Sequence, residues 1–194
     1  MIRLKKPKFK KNKDVERFFI DKGLQELVSL SKKKNLSVNQ LNVDEAYIPE
    51  LKDLYNLYQY ILNNKRTTIL EFGSGWSSLI FSLALRDLKN KYFKDVKNLR
   101  NSNPFELFIL ENEKKYLNIT KKRILKYNKD QNIKDPIKIN YTFSDVEMTT
   151  FSNKICTQYN KLPLCNPDFV YLDGPAQFNI KKNINNISTK HNDM

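Results

Sequence analysis

The sequence is short of the residues that bind metals and of the runs that cross membranes. It has two cysteines, Cys156 and Cys165, and one histidine, His191. The cysteines are nine apart with no CxxC or related spacing, so a structural zinc site, which needs clustered thiolate and imidazole ligands, is not expected. Two isolated cysteines instead predict buried thiols in a reducing compartment. No apolar run approaches the roughly 20 residues needed to span a bilayer as a helix. The basic N-terminus is not followed by the apolar core of a secretion signal. No membrane partner is expected, and the cytoplasm is the expected location.

What is present suits one folded domain. The chain has 194 residues, 40% hydrophobic and 12% aromatic, enough to bury a sizeable core. Its formal net charge is +14, which on its face suggests nucleic acid or an anionic surface. Lysine, asparagine and isoleucine are abundant along the whole length, however. The charge therefore reads as a compositional bias, and nucleic acid is a partner the sequence does not favour.

Residues 1–13, with Arg3, Lys5, Lys6, Lys8, Lys10, Lys11 and Lys13, read as a solvated basic arm, and residues 14–64 as a helical segment. The first helical stretch, 14–34, carries Gly23 and is expected to break there. A polar connection covers 35–46. A firmer helix is predicted over 49–63, with Pro49 in its first turn and an apolar stripe of Leu51, Leu54, Tyr55, Tyr58, Ile61 and Leu62. Its aromatics are read as core packing. Strands are expected at 67–71, 105–110, 137–143 and 168–172, with helices over 77–91 and after Glu111, the latter burying Tyr116, Ile119, Ile124 and Leu125. Residues 154–159 read as a small extra strand or lobe. Strands alternating with helices imply a parallel sheet covered on both faces, with ligands outside the carboxyl ends of the strands.

The stretch 67–78, TTILEFGSGWSS, is the centre of this pattern. A strand, a glycine turn and a helix aim backbone N–H groups at a ligand. Two ligands compete. A dinucleotide wants GxGxxG and an acidic residue about 20 residues on; here Ser78 holds the third glycine position, and Glu111 lies 36 residues beyond Gly75. The other pattern has the acid first, Glu71-x-Gly73-x-Gly75. With it, and with Glu111, Asp145 and Asp173-Gly174-Pro175 following in order, the chain over 49–178 resembles the class I S-adenosylmethionine-dependent methyltransferases. FVYLDGP is also similar to an uncharacterised bacterial family of them.

The resemblance implies an α/β fold with a Rossmann-like, mostly parallel sheet over 65–178, preceded by helices. It implies S-adenosylmethionine as cofactor and a small-molecule acceptor, with a hydroxyl of a small molecule or sugar as the preferred group. Glu71 would lie near the methionine amino group. Gly73, Ser74 and Gly75 would form the turn, the glycines letting backbone approach the ligand. Glu111 would accept from the ribose hydroxyls. Asp145 and the Val146 backbone would meet the adenine, and Asp173 would act beside the methyl as the catalytic group, with no metal assigned. The bland alternatives are that Glu71 and Glu111 cap helices, that Asp145 serves a turn and that Trp76 packs under the glycine turn. The family's sheet has seven strands and this sequence supplies four, so the domain is expected to be incomplete at its C-terminus, with 179–194 a polar tail. A compact variant whose last residues cover the sheet edge is the competing expectation.

Overall fold

The computed structural model describes residues 4–8, 10–32, 48–96, 98, 101–175, 180 and 184. The connection 35–46, Arg3 of the basic arm and most of the tail 179–194 lie outside the described residues. Helices α1 (Asn12–Asp21) and α2 (Gln25–Ser31) come first. They part at Gly23, whose φ of +77° is a conformation that favours glycine. The arm is shorter than expected, since α1 begins inside it. It is also anchored: the Lys5 N–H donates to Asn64 Oδ1 at 2.8 Å, and Asn64 Nδ2 donates back to the Lys5 carbonyl at 3.0 Å.

Helix α3 (Leu51–Asn63) buries Leu54, Tyr55, Tyr58 and Ile61 of the expected stripe, with its end members Leu51 and Leu62 half-buried against the same core. Pro49 lies before the helix rather than in its first turn, because Glu50 is the N-cap. The Phe18 ring meets Tyr55 edge-on at 5.1 Å and lies 4.9 Å from Tyr58, so these aromatics are core. A polar tie completes the contact: Lys22 Nζ donates to Asp87 Oδ2 at 2.5 Å, and the Tyr58 hydroxyl donates to the same oxygen.

Strand β1 (Thr68–Phe72) leads into α4 (Trp76–Val96), β2 (Glu106–Glu111), α5 (Lys114–Asp130) and β3 (Lys138–Phe143). A hairpin of β4 (Val146–Phe151) and β5 (Lys154–Tyr159) follows, then β6 (Phe169–Leu172). The protein is thus α/β, with a parallel four-stranded sheet in the order β3-β2-β1-β6 and a separate antiparallel pair. Asp168 fastens the sheet at its amino end, where its carboxylate accepts the N–H groups of Thr67 (2.8 Å) and Thr68 (3.0 Å).

Helix α4 runs five residues past its expected end. Residues 77–85 are buried all round the helix, because the sheet, α3 and α5 enclose it. On α5 the buried positions are Thr120, Ile124 and Tyr127, whereas Ile119 and Leu125 are 41% and 58% exposed. The spacing of four and three that faces the sheet begins at Thr120 and leaves those two aside.

The expectation of a sheet covered on both faces holds only in part among the described residues. Ile69, Leu107 and Ile109 point into the main core with α4 and α5. The alternate positions face the hairpin: Leu110, Val146, Met148, Tyr159 and Ile180 form a second cluster, with Phe72 and Ile184 against it. The link from β3 to β6 carries a hairpin instead of a helix, and toward β6 this face stays open, with Val170 50% and Leu172 71% exposed. Both cysteines are free and half-buried, not fully buried.

Candidate ligand-binding site at the strand ends

The turn after β1 is held from both sides. The Gly73 N–H donates to the Leu110 carbonyl at 2.8 Å, and the Asp173 N–H donates to the Phe72 carbonyl at 2.8 Å. Gly73 has φ of +96°, and a Cβ built on it would lie 2.9 Å from the Asp173 carbonyl oxygen. Gly174 is its counterpart, since a Cβ there would meet Gly73 Cα at 3.1 Å. Gly73 is therefore required by the backbone beyond β6, whatever else the turn binds. Gly75 differs: a Cβ there would meet only Ser77 Oγ, at 3.8 Å. The turn has room at Gly75.

Glu71, the penultimate residue of β1, is fully buried. Ser77 and Ser78, in the first turn of α4, donate their hydroxyls to its two oxygens at 2.5 and 2.6 Å. Ser78 Oγ also accepts the Gly75 N–H at 3.2 Å, which gives the residue at the third glycine position a structural job. Burial pushes the Glu71 carboxyl up to about 8, against the two serine hydroxyls, and the charges of Asp173 and Glu111 push the same way. Those couplings place the three carboxylates in one electrostatic neighbourhood.

Glu111 ends β2. Its Oε1 accepts the N–H groups of Asn112 (2.8 Å) and Glu113 (2.9 Å), and its Oε2 accepts the Ser74 hydroxyl at 2.6 Å. Burial raises this carboxyl, while Ser74 and the two N–H groups oppose the rise. Asp173 follows β6, exposed as a residue, with partial burial raising its carboxyl. Tyr171, whose hydroxyl burial and then Asp173 push up to about 12, flanks it.

Asp145 is exposed one strand further out, beyond β3, and its carbonyl accepts the Asn160 N–H at 3.0 Å. Val146 is buried in the second cluster and pairs with Tyr159 in the hairpin ladder. Trp76 packs partly against the main core with the Arg123 guanidinium 4.2 Å from its ring. Of the residues expected at the site, Glu71, Gly73, Ser74, Gly75, Glu111 and Asp173 are gathered at three adjacent strand ends. Asp145 and Val146 are at their margin.

One residue was not foreseen. Tyr159, the last residue of β5, is 8% exposed, and its hydroxyl is buried with no hydrogen-bond partner among the described residues. A buried hydroxyl without a partner costs about 1–3 kcal/mol. The oxygen lies where Gly73 and Gly174 meet, 3.3 Å from a Cβ built on Gly174, and the ring tilts against Phe72 at 5.4 Å. Burial, then the Glu111 charge, raises its pKa and keeps it protonated. The only sequence signal was that 154–159 is a strand ending in an aromatic.

A cavity of about 320 Å³ lies at the other end of the sheet, where Glu106 and Lys138 begin β2 and β3. Lys138 and Glu106 already pair there at 3.1 Å. Parallel sheets bind ligands at the carboxyl ends of their strands, so this cavity carries no functional argument. Among the described residues no three His, Cys, Asp or Glu side chains are grouped to hold a metal ion, and no helix is long and apolar enough to cross a membrane.

Against known proteins, no protein-family model matches the chain and no curated protein matches it.

Proposed function

We propose that the chain is a Rossmann-like class I S-adenosylmethionine-dependent methyltransferase domain acting on a hydroxyl of a small molecule. The observation that carries this reading is the gathering of Glu71, Glu111 and Asp173 at the ends of β1, β2 and β6 around the 73–75 turn. In the order β3-β2-β1-β6, the chain leaves β1 toward β2 on one side and returns to β6 on the other. Such a switch point opens a crevice for a ligand. The carboxylates of Glu111 and Asp173 repel a dinucleotide's pyrophosphate. They suit a methyl donor with an ammonium, a sulfonium and a ribose diol.

The residues fit that donor. Glu111 Oε2 uses one lone pair on Ser74, and a carboxylate oxygen has a second to accept from a ribose hydroxyl. The open side of Gly75 lets a ligand approach the backbone. Glu71 works indirectly, holding Ser77 and Ser78 and so setting the turn. When bound, the sulfonium supplies an electrophilic methyl. Asp173 orients the acceptor hydroxyl and takes its proton, a task its raised carboxyl favours by making it a stronger base. Most of the rate enhancement then comes from proximity and alignment.

Calorimetric titration tests this. The wild type is expected to bind S-adenosylmethionine and S-adenosylhomocysteine, with loss in Gly75→Arg and weakening of about tenfold or more in Glu111→Ala. A folded wild type that binds neither sulfonium-derived ligand refutes the reading, and binding of NAD in their place would reassign the crevice to dinucleotides.

A further inference from the structure

The hairpin that replaces a helix between β3 and β6 brings a tyrosine hydroxyl to the strand ends. Tyr159 is its last residue, more than nine-tenths buried, with its hydroxyl unpartnered among the described residues. Phe72 and the second cluster fix the ring, so the hydroxyl cannot swing to solvent without breaking that packing. The oxygen sits against the paired glycines, Gly73 and Gly174, and close enough to Glu111 to feel its charge. Buried polar groups in folded proteins almost always have partners. A hydroxyl held this way at a ligand crevice has the placement of a recognition group.

We propose that Tyr159 is a ligand-binding residue that donates a hydrogen bond to a hydroxyl-bearing ligand at the strand ends, with Glu111 accepting from that ligand. The pair is complementary, because an ionised carboxylate only accepts whereas a phenol donates. Together they select for a ribose-type hydroxyl, which can do both. The inference rests on the strand ends being the ligand site and deepens the methyl-donor reading by adding the hairpin to it. Glycine at 174 fits the same geometry, since a Cβ there would crowd Gly73 Cα at 3.1 Å and Tyr159 Oη at 3.3 Å.

The test compares wild type with Tyr159→Phe in two measurements, urea denaturation without ligand and calorimetric titration with S-adenosylhomocysteine and with adenosine. Losing only an unpartnered hydroxyl leaves the urea midpoint unchanged or raised, and weakens binding of both ligands about 5- to 10-fold. A lowered midpoint means the hydroxyl is satisfied within the protein and overturns the proposal, whether or not any ligand binds. Equal affinity in the two proteins overturns it while leaving the methyl-donor reading intact. Adenosine binding without S-adenosylhomocysteine binding removes the methyl-donor reading, and the Tyr159→Phe ratio for adenosine still decides this one. A wild type that binds neither ligand refutes both.

Discussion

Replacing Glu71 with glutamine removes the one buried carboxyl of β1 while keeping its shape. The carboxyl titrates near 4.5 in the unfolded chain and is raised to about 8 by burial in the folded one. Folding therefore takes up a proton between these values. The stabilisation this gives is fully present below about pH 4.5 and is lost as the pH rises through 8. In that window the loss is about 1.4 kcal/mol per pH unit, with a ceiling near 5 kcal/mol. A typical domain is stable by only about 5–15 kcal/mol, so the effect is large enough to measure. Glutamine stays neutral and still pairs with Ser77 and Ser78, accepting from one hydroxyl and donating to the other. Urea unfolding followed by circular dichroism from pH 5 to 9 is expected to give similar stabilities at pH 5. The Glu71→Gln advantage should then grow steadily to about pH 8 and level off. Glu111 and Asp173 shift in the same direction but are present in both proteins and largely cancel in the difference. Parallel stability curves for the two proteins would refute the claim that Glu71 is buried with a raised carboxyl.

Gly73→Ala meets the Asp173 carbonyl at 2.9 Å in a φ of +96° and should lower stability by about 2 kcal/mol or more, whereas Gly75→Ala should cost under about 1 kcal/mol. Thermal melts of the two decide whether the glycines serve fold and ligand separately; equal losses would contradict it. Asp168→Ala strips the acceptor from the N–H groups of Thr67 and Thr68 and should cost about 2–3 kcal/mol in urea unfolding. A neutral result would mean those N–H groups find other partners.

Features set by neighbours in sequence were legible before the structure. The break at Gly23, the strand-turn-helix at 67–78 and the strand ending at Asp173 all follow from local chemistry. Features set by distant contacts were not. The hairpin turn is Ser152-Asn153, with φ of +49° and +61° at the two positions. Such turns normally announce themselves with glycine, so β4 went unread and Tyr159 with it. The steric role of Gly73 was hidden because the backbone that crowds it lies a hundred residues further on. The hold of Glu71 on Ser77 and Ser78 was hidden because these partners, six and seven residues later, meet it only once α4 has packed on the sheet. The apolar richness of α4 suggested one buried face, and only the packing of α3 and α5 buries the rest of its first turns.

The proposed site for S-adenosylmethionine-type ligands is at the carboxyl ends of β1, β2 and β6. Amide chemical-shift mapping tests it directly, since the chain has four glycines, and Gly73, Gly75 and Gly174 are at the site while Gly23 joins α1 to α2. On adding S-adenosylhomocysteine, the signals of Gly73, Gly75, Gly174, Asn112 and Glu113 are expected to move, while Gly23 and the residues around Glu106 at the far end of the sheet stay still. Movement confined to the far end, or none at saturating ligand, would contradict it.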